Sequence, residues 1–162
     1  MKIIIIILVS AVGILLSNTV DARTDPLCKP LRKFLESINP DEKRSVEFHT
    51  IWGEGFKDIP SKADSDRITI ASKRCIDQGY APATVLCQSL MENGAMEFSN
   101  MNAQSVITCL SPKTQFGLNL KLERFFATFS YGTPNRGSNV EITFGENSKI
   151  GGMSLKIEAD GY

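Results

Sequence analysis

The chain has 162 residues and carries 18 basic and 18 acidic side chains, so it bears no net charge at neutral pH with its single histidine neutral. Nucleic acids and anionic membranes attract a basic excess, and a balanced chain lacks one, which sets both aside as general partners. The length suits one domain with a real core.

The opening MKIIIIILVSAVGILLSNTVDA places one cation, Lys2, before an apolar run from Ile3 to Leu16 and ends in Val20-Asp21-Ala22. A short cationic start, an apolar stretch and a small-x-small ending are the marks of a signal peptide, with cleavage expected after Ala22. As a helix the run would rise about 21 Å, short of the roughly 30 Å of a bilayer core, so no stable membrane anchor is expected. No cysteine follows the cleavage point directly, since Arg23 comes next, so a lipid-anchored form is not indicated. The organisation is then a leader over 1–22 and a single domain over 23–162, exported to the periplasm or secreted. Lys2 and Asp21 leave with the leader, so 17 of each charge remain.

Cys28, Cys75, Cys87 and Cys109 form an even set in a chain expected to be exported. This composition implies two disulfides, with three pairings possible, and Cys28 is expected to tie the first helix to something distant. Close pairs such as CxxC are absent, so zinc is not expected, and neither is any other metal or cofactor. The domain also lacks an Asn-x-Ser/Thr acceptor, which tilts the location towards a periplasm.

Leu27, Leu31, Phe34, Leu35 and Ile38 recur at helical spacing between Asp25-Pro26 and Asn39-Pro40, predicting a helix over 26–38. Ser45 to Trp52 alternates as a half-buried strand. Val46, Phe48, Thr50 and Trp52 share the face expected to be inward, with Trp52 a core aromatic, and Glu47, His49 and Ile51 share the face expected to be wet. A polar loop over 53–66 leads to a second strand over 67–74. Helices are predicted over 83–92, with Val85, Leu86, Leu90 and Met91 on one side and a C-cap at Asn93-Gly94, and over 100–110. Met91, Met96, Phe98 and Met101 fall in their connection and read as filling beneath a helix–helix turn. Alternation then returns at Leu118, Leu120 and Leu122, and again at Phe125, Ala127, Phe129 and Tyr131, with a bulge expected near Arg124. It recurs at Val140, Ile142 and Phe144, and at Met153, Leu155 and Ile157, the latter before "EADGY". The fold expected is α+β: an antiparallel sheet of about five strands with a C-terminal meander, packed on one side by about three helices.

The candidates for chemistry are few. Histidine is the residue type suited to general-base work near neutrality, and His49 with Glu54 and Asp58 would make the catalytic set of a small secreted hydrolase. No GxSxG elbow accompanies it and no free thiol is expected, so the structural use of His49 is preferred. The acids of the 53–66 loop are interleaved with Lys57 and Lys62, which reads as a solvated loop and not a cation trap. Glu54, Phe56 and Lys57 in that loop, and Asn135 and Arg136 at a turn-rich hairpin tip, are the candidate contact residues. A small, cross-linked, exported, charge-balanced chain without a legible catalytic set reads best as a binding protein. The type expected is an inhibitor or immunity-type protein that inserts loops into an enzyme acting at the cell envelope. A hydrolase using His49 is the alternative, and an envelope carrier with a lipid-sized pocket lined by Phe125, Phe126, Phe129 and Phe144 the second.

Overall fold

The computed structural model describes residues 25–53, 55–58, 71–117 and 120–162, so the leader expected over 1–22, Glu54 and most of the 53–66 loop lie outside the described residues. Helix α1 spans Cys28–Glu36, strand β1 Lys43–Trp52, β2 Ala71–Ile76, α2 Ala81–Asn93, α3 Asn100–Leu110, β3 Phe125–Thr133, β4 Arg136–Asn147 and β5 Gly152–Gly161. The strands form one five-stranded antiparallel sheet in the order β2-β1-β5-β4-β3. The last strand in the chain is therefore the central one. The three helices cover one face, which is the expected α+β architecture.

The core follows the two-residue period of the strands. Val46 and Phe48 of β1, Leu155, Ile157 and Ala159 of β5, and Val140, Ile142 and Phe144 of β4 are buried on the helix side. Against them pack Leu31, Phe34 and Leu35 of α1, with Leu27 and Ile38 closing its ends. Asp25 starts α1 by accepting the Leu27 N–H on its carboxylate and the Cys28 N–H on its carbonyl. Pro30 falls in the first turn, where its missing N–H is no loss.

Both disulfides bind helices to something else. Cys28–Cys109 joins α1 to α3 across 81 residues, and Cys75–Cys87 joins β2 to α2 across 12. The cysteines are thus paired in one of the three ways left open by their spacing.

Several expectations are corrected. The buried stripe of α2 is Ala83, Leu86, Cys87 and Leu90, while Val85 and Met91 are exposed. The small Ala83 and the cross-linked Cys87 turn the helix, and the bulkier Val85 is left outside. Gly94 is the C-cap of α2, as expected, and its backbone there is extended. The glycine is needed there for want of space. A Cβ there would stand 2.4 Å from the Leu90 carbonyl oxygen and 2.8 Å from the Phe48 ring. Residues 120–124 form no strand, and 118–119 lie outside the described residues. Alternation marks a face, but a strand also needs a ladder, and among the described residues no backbone group of 120–124 bonds to the sheet. The last strand runs on through "EADG", with Ala159 buried and Gly161 packed so tightly that a Cβ would lie 2.1 Å from the Asn39 carbonyl oxygen.

The cross-links and the Gly94 contact make separable contributions to stability. Replacing both Cys28 and Cys109 by alanine is expected to cost about 4–5 kcal/mol, and replacing Cys75 and Cys87 about 3 kcal/mol, because the first pair closes the longer loop. Urea unfolding of the two variants checks the order. In the same assay Gly94→Ala is expected to cost about 1–3 kcal/mol through overpacking against Phe48. Gly117→Ala, which meets open space, should leave the midpoint in place.

Candidate functional site

The strand register brings together what the sequence spaces apart. His49 lies opposite Arg74 on β2 and Ser154 on β5, and Glu47 lies opposite Lys156. All project from the sheet face away from the helices, because the two-residue period that sends Phe48 inward sends its neighbours outward.

That face is not open at His49, which is only 3% exposed, against the expectation of a solvated position. The 55–58 segment folds over it. Phe56, expected to be a contact residue, is instead buried with Ile51 and Ile150 in a small second cluster. The Lys57 N–H bonds the Ile150 carbonyl at 3.0 Å, and the Arg74 guanidinium stacks 4.6 Å from the Phe56 ring centre. Asp58 takes both ends of that guanidinium at 3.1 and 2.9 Å. Lys57 and Asp58 themselves are exposed.

The proton positions follow from the partners. Arg74 approaches the His49 Nδ1 through Nε at 3.2 Å and Nη2 at 2.9 Å, and a guanidinium has only donors. Nδ1 is therefore the acceptor, and Nε2 carries the hydrogen and donates to Glu47 Oε1 at 2.7 Å. Ser154 Oγ donates to the same oxygen at 3.1 Å. Burial pushes the Glu47 carboxyl up, but the hydrogen bonds from His49 and Ser154 and the charge of Lys156 outweigh it and hold the group below its ordinary value. The hydrogen bonds from Arg74 hold the Asp58 carboxyl below its own.

Chemically this cluster is a clasp. A general base needs a ring nitrogen that can reach a substrate, and both nitrogens of His49 are engaged by protein. The Ser154 hydroxyl is aimed at Glu47, not at His49, so no nucleophile–base pair exists here. His49 and Asp58 do meet, through Arg74, while Glu54 lies outside the described residues. Sequence reasoning misses Arg74 as the partner of His49 and Ser154 as a partner of Glu47. Only the register, which no local motif encodes, could have brought them in.

The remaining features sort by position. Asp25, Cys28 and Cys109 are the one grouping with ligand-like spacing among the described residues, but the two sulfurs are bonded to each other and leave a single carboxylate. An open groove of about 350 Å³ lies on the outer sheet face over Thr128, Ser130, Asn139, Glu141 and Asp160. Its lining is mixed and includes Phe129, and it does not lie between helices and sheet, where Leu31, Phe34, Phe48 and Phe144 fill the space. Phe126, one of the four aromatics expected to line a carrier pocket, is 63% exposed.

The hairpin tip with Asn135 and Arg136 is exposed. It stands at the Lys43 end of the sheet, whereas the 53–58 loop leaves from the Trp52 end, so the ten residues of β1 separate the two loops by about 33 Å. They cannot fill one cleft together.

A third surface forms at the Trp52 end. Trp52, expected in the core, is 60% exposed, because β1 outruns the helix layer. Lys73 faces Thr50 and donates to the Met91 carbonyl at 2.9 Å, which places the end of α2 over this part of the helix-side face. Trp52 emerges on the same face one repeat, about 7 Å, beyond Thr50. The α2–α3 connection is shaped by buried Asn102, whose side chain bonds both the N–H and the carbonyl of Ala95 at 2.7 Å. Those bonds fold the connection without burying its large side chains. Met91 and Met96 are exposed, as are Phe98 and Met101 at 59% and 53%, contrary to their expected use as filling.

Compared with protein-family models, curated proteins and solved structures, the chain matches none at the level that marks relatedness.

The clasp has a defined pH signature. Glu47 and Asp58 both ionise more readily in the folded protein, so their stabilisation is complete above the ordinary values of 4.5 and 3.8 and is lost as pH falls through the lower folded-state values. Arg74→Met removes the partner of Asp58 and leaves the buried His49 Nδ1 unsatisfied, at an expected cost of about 1–3 kcal/mol at pH 7. Denaturant unfolding from pH 7 downward should show the gap to wild type narrowing below 3.8. A gap of constant size would rule out the Arg74–Asp58 contribution.

Proposed function

We propose that this chain is an exported binding protein that blocks an enzyme at or outside the cell envelope through its Trp52 end. The observation that carries the reading is the exposure of Met91, Met96, Phe98 and Met101 in and beside the α2–α3 connection, and of Trp52 at the end of the sheet on which the end of α2 sits. Large apolar side chains held outside a core by a satisfied polar scaffold mark an interaction surface, and aromatics are favoured anchors while methionines adapt to the partner. The scaffold beneath is rigid, because Asn102 fixes the connection and Cys75–Cys87 ties α2 to the sheet. A platform fixed in advance loses less freedom on binding. Two disulfides fit an oxidising compartment, and no helix among the described residues is long and apolar enough to cross a membrane. A hydrolase reading draws no support from His49, since its ring nitrogens are both engaged.

The contact differs from the loop insertion expected from sequence. The apolar end supplies the anchors, and the Asn135–Arg136 tip, at the far end of the sheet, lies outside the contact. The test is capture from envelope and secreted extracts by the oxidised protein, followed by assay of the captured enzyme with and without it. Wild type should lower that activity at equimolar ratio. The Phe98→Asp/Met101→Asp double variant, with unchanged circular dichroism and both disulfides, should require at least about a hundredfold more protein, as expected for losing two anchors. Equal inhibition by the double variant would remove this surface from the reading, and a captured enzyme that keeps its activity would remove the inhibitor.

A further inference from the structure

The sheet has two edges, and they are built differently. The β2 edge is six residues long and carries Lys73 and Arg74, and Cys75 is tied to α2. Short length and charge are the usual protections of an exposed edge. The β3 edge has neither. Its nine residues, FFATFSYGT, contain no charge and no proline, and its register with β4 is unbroken from Phe125↔Phe144 to Thr133↔Arg136.

Which of its backbone groups are free follows from the neighbouring ladder. Gly137 exchanges both its N–H and its carbonyl with Tyr162, at 3.1 and 3.0 Å, so they point towards the β5 side. Alternate residues of β4, from Ser138 to Phe144, therefore point towards β3, where they face Tyr131, Phe129, Ala127 and Phe125. The groups of Phe126, Thr128, Ser130 and Gly132 are left on the outer edge. Among the described residues no backbone group bonds to them. Phe126 is also the most exposed large apolar side chain of those residues.

We propose that the β3 edge pairs antiparallel with the β3 edge of a second copy of this chain, making a two-fold dimer with one sheet continuous across both copies. This surface is separate from the Trp52 end and does not depend on it. An antiparallel strand is complementary to itself, so one edge supplies both halves of the contact. With the axis at Phe129, Thr128 of one copy faces Ser130 of the other. Phe126 then lies across from the second copy's Gly132, and an aromatic opposite a glycine is a favoured cross-strand pairing. The full strand, about 30 Å, takes part. Because the remaining edge on each copy is the short, charged β2, pairing stops at two and does not propagate.

Sedimentation equilibrium of the oxidised chain over a concentration series tests this. Wild type should move from monomer towards twice that mass between about 1 µM and 1 mM, the range of weak to moderate specific association. Thr128→Pro deletes one outward N–H while leaving the β4 ladder its bonds, and Phe126→Lys adds a charge on the edge. Both should stay monomeric where wild type is half dimer, with unchanged circular dichroism. If Thr128→Pro disturbs the fold, Phe126→Lys alone decides. A wild type monomeric to about 1 mM overturns the proposal and leaves the edge to an extended segment of another protein. Variants that dimerise as wild type does, or assembly beyond two, overturn it as well.

Discussion

The contact between the Phe48 ring and Gly94 sets how closely the helix layer approaches the sheet. Phe48 is fully buried at the middle of β1, and the absent side chain at position 94 is what lets the end of α2 sit on it. The descent of the chain from α2 is fixed there, and Asn102 then holds the connection by its backbone. Side chains further along are carried past the edge of the core, so Met96, Phe98 and Met101 stay outside. The exposure of these large apolar side chains is thus a by-product of how tightly the layer below them is packed.

The same strand explains the fate of the histidine. With Phe48 committed to the core, His49 must leave by the other face, where it would be solvated if the sheet were bare. The Phe56 segment folds back instead, and burying an imidazole beneath it demands a partner for each nitrogen. Arg74 and Glu47 supply them from the adjacent strand and from the same strand. Arg74 also binds Asp58 and stacks on Phe56, so one guanidinium secures the segment and satisfies the ring beneath it. Arg suits such a site because its planar fork can donate along two edges and lie flat on an aromatic.

Much of the architecture was legible because it rests on period. Helix α1, the β1 alternation, α3 and the β3–β4–β5 meander each announce themselves by which residues are apolar. What was not legible depends on distance along the chain. Trp52 has the right parity for the core, and its exposure is decided by how far the helices extend, which its own neighbours do not encode. Val85 outweighs Ala83 in apolar character, yet the helix turns to the small residue because the disulfide at Cys87 sets its rotation. Leu120 and Leu122 alternate like a strand but have no ladder. His49 faces away from the core, as its parity requires, yet it is buried, because the segment covering it comes from a loop whose polar composition gives no sign of that role.

The position of β5 at the centre of the sheet bears on how the chain becomes folded. Lys43 pairs with Asp160, so β1 has no partner on that side until well over a hundred further residues have been made. At typical synthesis rates of roughly 5–20 residues per second, that strand waits on the order of ten seconds with only β2 available to it. The sheet cannot close progressively from its beginning; it closes late, around its final strand, with long-range pairings of the kind that fold slowly. During vectorial emergence the first half of the molecule therefore presents an unfinished, apolar-faced ribbon, a form that a narrow conduit admits and a finished domain does not have.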